Sequence, residues 1–188
     1  MNVECKKKIK KELSMYRNYA YPSFKEYLIA KITRSSVYGI SRWQYYSRLY
    51  DYYNSKKRTN LFSDFLKLYF LRKCHIWAAR YGLEMPTHNI GEGLLVYHGN
   101  NVVNGYSIIG KNLHLHGNNC IGNLGPQSPD LVPTIGDNVM LGVGAKVLGP
   151  IVLADNIKVA AGAVVINSFE EPGITIAGIP AKKVNKKV

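Results

Sequence analysis

The sequence predicts a mainly β fold with a helical N-terminal part: α-helices followed by a parallel β-helix of hexapeptide repeats. Two periodicities and one charge asymmetry carry that prediction. Apolar residues recur at helical spacing to about residue 80 and then at a fixed step of six. Residues 1–80 hold 18 Lys/Arg and 5 Asp/Glu, whereas residues 81–188 hold 7 of each, so the net charge of +13 belongs to the N-terminal part alone. With 46% hydrophobic and 20% charged residues, disorder and collagen are excluded and a real core is expected. Cys5, Cys74 and Cys120 are too few and too scattered for a disulfide framework or a zinc site, which points to a reducing compartment. No apolar run reaches the roughly 20 residues of a membrane span, and MNVECKKKIK lacks a leader pattern, so a soluble, cytoplasmic protein is expected.

In chain order, residues 1–82 form the basic, Tyr-rich helical domain, with twelve of the 14 tyrosines and both tryptophans. KKELSMYRNYA, SFKEYLIAKI, SRWQYYSRLYDYY and LFSDFLKLYFLRKCHIWAARYG each show an amphipathic helical pattern. Ser41 and Ser63 are expected as N-caps and Gly82 as the stop of the last helix, with Lys56, Lys57 and Arg58 in a connection.

Residues 83–172 carry the repeat. Ile135, Leu141, Val147, Leu153, Val159 and Val165 are six apart, as are Ile90, Val96 and Val102, then Ile109, Leu115 and Ile121, with one seven-residue step between Val102 and Ile109. Such spacing suits a coil of three short parallel strands, one aliphatic per strand pointing inward, with Gly and Asn in the tight turns. A sandwich would need polar/apolar alternation and hairpin turns, which this region lacks. The fourteen-residue gap from Ile121 to Ile135 reads as a loop over 123–134, and residues 173–188 as an exit strand and basic tail.

YGLEMP, IGEGLLVYHG, IGKNLHLHGNNCIGN, VPTIGDNVMLGVGAKVLGPI, VAAGAVV and AGIPAKKV together resemble the hexapeptide-repeat acyltransferases, in the serine acetyltransferase-like branch that includes members associated with surface polysaccharides. The resemblance covers residues 81–185. It implies a left-handed coil, a homotrimer with sites between neighbouring subunits, and acetyl-CoA as acyl donor, with no metal required.

The family's catalytic histidine maps to His98. Acyl transfer to an alcohol needs a base for the hydroxyl proton and donors for the tetrahedral oxyanion, and a neutral imidazole beside a Gly/Asn-rich turn supplies both. Alternatively, His98 merely lines the coil. The family's orienting aspartate aligns with Leu83, so the neighbouring Glu84 is the candidate carboxylate, or else a surface glutamate at a helix–strand junction. By family position, Gly122 and Asn123 flank the thioester; Val143, Ala161 and Gly162 wall the pantetheine arm. Lys146, Lys182 and Lys183 either meet the nucleotide phosphates or are simply solvated.

His116 lies eighteen residues from His98, yet the seven-residue step means that the two need not stack. His114 and His116 flank inward-pointing Leu115 and are expected to face outward, as surface or acceptor-cleft residues, whereas His75 and His88 read as structural. Where serine acetyltransferases place their charged serine contacts, this chain has Tyr97, Leu131 and Val132. Missing counter-charges disfavour a zwitterionic acceptor, so the expected function is O-acetylation of a sugar or surface-polysaccharide hydroxyl, with Tyr97 and His116 contacting the acceptor and little transfer to L-serine. The alternatives are serine O-acetyltransferase and a non-catalytic scaffold. Nucleic acid is not expected as a partner, since no recognised module is visible and a basic amphipathic head equally suits an anionic membrane surface.

Overall fold

The computed structural model describes residues 3–21, 23–56, 60–125 and 131–184. Lys57 and Arg58, residues 126–130 of the expected loop and residues 185–188 of the expected tail lie outside them. The chain forms two compact units, Met1–Leu83 and Glu84–Val188.

The first unit contains α1 (Val3–Ala20), α2 (Phe24–Thr33), α3 (Ser36–Asn54) and α4 (Leu61–Tyr81). Ser23 opens α2 in a capping box with Glu26, Ser35 caps α3 through the Tyr38 N–H, and Asn60 caps α4 through the Ser63 N–H. The caps expected at Ser41 and Ser63 are therefore misplaced. Both residues lie inside helices: the Ser41 hydroxyl donates to the Tyr38 carbonyl at 2.7 Å, and Ser63 supplies the backbone N–H that Asn60 caps. Gly82 ends α4 in the left-handed region as expected, with φ 62° and its N–H donating to the Ala78 carbonyl.

Trp43, Ile40 and Tyr16 form the fully buried centre of this unit. A buried ion pair crosses from α1 to α3, with Arg48 Nε and Nη2 donating to Glu12 Oε2 and Oε1 at 3.1 and 2.8 Å. Beside it the Tyr16 hydroxyl donates to Gln44 Oε1 at 2.8 Å. A buried charge keeps its place only when paired and hydrogen-bonded, and losing one partner typically costs about 3–5 kcal/mol.

The second unit is the coil. Its strands are β1 (Leu83–Glu84), β2 (Leu95–Val96), β3 (Asn101–Val103), β4 (Ile108–Ile109), β5 (His114–Leu115), β6 (Cys120–Gly122) and β7 (Thr134–Ile135), then β8 (Met140–Leu141), β9 (Lys146–Leu148), β10 (Val152–Leu153), β11 (Lys158–Val159), β12 (Val164–Val165), β13 (Thr175–Gly178) and β14 (Ala181–Lys183). They form three sheets, in the orders β1-β3-β6-β9-β12, β4-β7-β10 and β2-β5-β8-β11-β13-β14.

Parallel pairing stacks the inward aliphatics into columns. Val103, Ile121, Val147 and Val165 form one, Ile109, Ile135 and Leu153 a second, and Val96, Leu115, Leu141, Val159 and Ile176 a third. All are buried, and each fully buried Val, Leu or Ile contributes about 1.5–3 kcal/mol of transfer free energy.

One expected register differs. Val102 is 43% exposed whereas Val103 is 4% exposed, so the seven-residue step falls between Val96 and Val103 rather than after Val102. The extra residue thus enters the turn that holds His98. Two adjacent valines satisfy the step of six equally well, and only the pairing of Val103 with Ile121 selects one of them.

The turns use left-handed asparagines at Asn100, Asn112, Asn118, Asn138 and Asn156. Asn112 donates to Asn138 at 2.8 Å, and Asn138 to Asn156 at 3.1 Å, a side-chain ladder along one corner. The expected exit strand is β13, and the first lysines of the expected basic tail stand on a further strand: β14 pairs antiparallel with β13, and Lys183 bonds Glu171 at 2.6 Å. Among the described residues, no helix is long and apolar enough to cross a membrane.

Candidate active site

His98 occupies the turn between β2 and β3, and its side chain is exposed. The four-residue segment His98-Gly99-Asn100-Asn101 repeats one coil later as His116-Gly117-Asn118-Asn119. The two turns are tied together. Buried Asn101 donates to the His98 carbonyl at 2.7 Å and accepts from the Asn119 N–H at 3.1 Å, and Asn119 donates in turn to the Gly142 carbonyl at 2.6 Å.

Gly117 sits directly against His98. Its φ is +111°, and a Cβ there would lie 2.7 Å from His98 Cβ, so both backbone conformation and space demand glycine. The corner then continues through small residues: the Gly144 N–H donates to the Gly117 carbonyl at 2.9 Å and the Gly162 N–H to the Val143 carbonyl at 2.8 Å. Val143, Ala161 and Gly162 are exposed, so this corner is a small-residue wall in line with the His98 turn.

Next to His98, the extra residue of the coil brings an aromatic cluster. The Tyr97 ring stacks on His116 with centroids 4.4 Å apart and planes 22° apart, and its hydroxyl lies 3.1 Å from His114 Nδ1. Sequence reasoning missed this bond between Tyr97 and His114, because it depends on pairing Leu95 with His114, nineteen positions away.

Burial, and secondarily His116, pulls the His114 pKa below its ordinary value; burial, and secondarily the charge of His98, does the same to His116. Both imidazoles are accordingly neutral at pH 7. His116 Nε2 is buried without a hydrogen-bond partner, and His116 packs on Tyr97 rather than facing outward freely. The cluster is an uncharged wall beside the exposed His98 imidazole.

The other candidate residues are dispersed. Glu84 is exposed in β1, and among the described residues no hydrogen bond or ion pair joins it to His98. Gly122 ends β6 and is buried, and half-buried Asn123 accepts from Asn104 Nδ2 at 3.3 Å and donates to the Gly125 carbonyl. They lie beyond the far end of β6 from the His116–Asn119 turn, a three-residue strand or about 10 Å away. Lys146 is exposed at the start of β9, in register with Cys120, whose thiol burial pushes up in pKa while Lys146 partly offsets that rise. Lys182 is exposed on β14. Among the described residues no three His, Cys, Asp or Glu side chains gather as a metal site would require.

No family model matches the chain. A serine acetyltransferase of Helicobacter pylori (strain ATCC 700392 / 26695) is 36% identical over 124 residues, covering 64% of this chain and 72% of that protein. The chain belongs to the serine acetyltransferase family. This serine acetyltransferase relative is also similar to the enzymes of Synechococcus elongatus, 35% identical over 105 residues, and Staphylococcus xylosus, 37% over 107. It covers 55% and 56% of its own length in those matches and spans only 43% and 49% of theirs. In three dimensions it resembles the soybean serine acetyltransferase apoenzyme at a TM-score of 0.69 and 23% identity, over 97% of this chain and 70% of that one. The Neisseria gonorrhoeae serine acetyltransferase matches at 0.64 and 26%, over 97% and 68%. The coil is thus the left-handed parallel β-helix of these acyltransferases, and the protein is an acyltransferase with acetyl-CoA as co-substrate.

Proposed function

We propose that the protein is a serine O-acetyltransferase in which His98 is the general base. The reading that a sugar hydroxyl is the principal acceptor gives way here, because the relatives that the coil matches act on serine by name. One structural observation supports the chemistry: an exposed imidazole whose turn is fixed by Asn101 and Asn119 against Gly117, in line with a small-residue wall.

In the proposed reaction His98 takes the proton of the acceptor hydroxyl as its oxygen attacks the thioester carbonyl carbon. The C–O bond forms, the tetrahedral oxyanion collapses, the C–S bond breaks, and the His98 proton passes to the departing thiolate. Backbone N–H groups of the Gly/Asn turns offer donors for the oxyanion. Val143, Ala161 and Gly162 are proposed to wall the linear pantetheine arm, since small residues let it approach the backbone. Gly122 and Asn123 are proposed beside the thioester, and Lys146 and Lys182 at the nucleotide phosphates. Glu84 is the proposed carboxylate partner of His98, formed on substrate binding or within a homotrimer.

A second reading, a sugar or polysaccharide hydroxyl as acceptor, keeps one observation in its favour. The wall formed by Tyr97, His114 and His116 is neutral and aromatic, and Leu131 is 50% exposed, so the surfaces that would meet a zwitterion carry no charge. Peripheral binding to an anionic membrane is supported by the charge of the head together with exposed Phe24, Ile32, Phe62 and Phe65.

The test is acetyl transfer from acetyl-CoA, followed as thiol release and confirmed by mass of the product. Transfer to L-serine that is lost in His98→Ala supports the proposal; thiol release independent of His98 and of any hydroxyl acceptor removes it.

A further inference from the structure

The helical unit contains a cleft of about 970 Å³ between α1, α2 and α3. Ile9 and Leu13 give it an apolar floor, exposed Phe24 also lines it, and so do Lys6, Lys10, Arg17 and Arg42, with no Asp or Glu among the described lining residues. Lys6, Lys10 and Arg17 share one face of α1 over twelve residues, a row of charge roughly 16 Å long. Arg42 faces the row from α3. It is held in place: its guanidinium lies 4.4 Å from the Tyr45 ring centroid and 5.1 Å from that of Tyr46, and Nη2 donates to the Tyr46 hydroxyl at 3.4 Å. Two carboxylates of the same helices are committed elsewhere, Glu12 to Arg48 and Glu26 to its capping box.

We propose that this cleft binds an anionic amphiphile, a phosphate headgroup on a hydrocarbon chain. Its head would sit at the cations and its chain on the apolar floor. A free phosphate or sugar phosphate would leave that floor exposed to water, whereas a neutral chain would leave the row of cations without counter-charge.

The test uses the full chain and dodecyl phosphate below its micelle concentration, with binding measured by calorimetry. Saturable one-to-one binding is expected, with inorganic phosphate unable to compete and uncharged dodecyl maltoside at least about tenfold weaker, as charge-assisted hydrogen bonds imply. Arg17→Gln/Arg42→Gln should weaken binding by about tenfold or more at unchanged helical circular dichroism. Lys6→Gln/Lys10→Gln, confined to exposed side chains, serves if that variant unfolds. Equal affinity for the uncharged amphiphile overturns the proposal, as do unaffected variants. Binding only to anionic vesicles, with no response to the soluble amphiphile, would assign the charge to a membrane surface instead. Binding that emerges only on dilution would show that a second copy of the chain fills the cleft. None of these readouts uses acyl transfer, so the cleft and the acceptor chemistry stand or fall separately.

Discussion

At the scale of single residues, His98 and Gly117 make one device. His98→Ala is expected to lower kcat by about 10²–10⁴-fold, the range for loss of a general base, with the thermal midpoint unchanged because the side chain is exposed. Gly117→Ala should damage both: its +111° φ strains any L side chain, and the 2.7 Å approach to His98 Cβ forces the turn to move. Loss of kcat together with a lower melting temperature is the expected signature, and a variant with normal kinetics would dissociate Gly117 from the placement of His98. His114 and His116 add a pH dependence whose sign is fixed. Their folded pKa values lie below the unfolded 6.5, so the unfolded chain binds more protons between the two values. Their contribution to stability is complete above pH 6.5 and is lost as pH falls through the folded values. Melting temperatures at pH 7.5 and pH 5 should therefore diverge less in His114→Asn/His116→Asn than in wild type.

At the scale of elements, the coil depends on one aliphatic per strand. Val147 is fully buried between Ile121 and Val165, so Val147→Asp places a carboxylate with no partner in a core a few side chains wide. Insoluble or unfolded protein is expected; a cooperative, soluble variant would show the column to be wrongly assigned. This element was legible in sequence because each strand repeats the same demand at the same step. The phase near His98 was not, since Val102 and Val103 are both aliphatic and only contact with the next coil chooses between them. Helix existence was legible for the same periodic reason, whereas capping was not: Ser23, Ser35, Ser41 and Ser63 are chemically equivalent candidates until the backbone shows which lies outside a helix. The bond between Tyr97 and His114 belongs with these failures, a contact between coils that no local pattern announces.

At the scale of the whole molecule, the acceptor is decided by surfaces that sequence and relatives read differently. Family membership speaks for L-serine, whose ammonium and carboxylate need fixed counter-charges. The resemblance implies that the positions supplying them hold Tyr97, Leu131 and Val132 here, and the wall around Tyr97 is neutral. If serine is the acceptor, charges must reach it from elsewhere in the assembly, and its KM should rise with ionic strength as those contacts are screened. A pyranose held by packing on Tyr97 would show no such dependence. The decisive comparison is therefore KM for L-serine and for neutral glycans across a salt series, in wild type and in Tyr97→Ala. Saturable, salt-sensitive acetylation of L-serine that outranks every sugar is expected, with Tyr97→Ala altering the KM of the acceptor while that of acetyl-CoA stays within about twofold, because the proposed donor wall at Val143, Ala161 and Gly162 lies in the turns of later coils. Efficient, salt-insensitive transfer to a sugar, lost in Tyr97→Ala, would instead make the aromatic wall the acceptor site and move this chain to glycan chemistry.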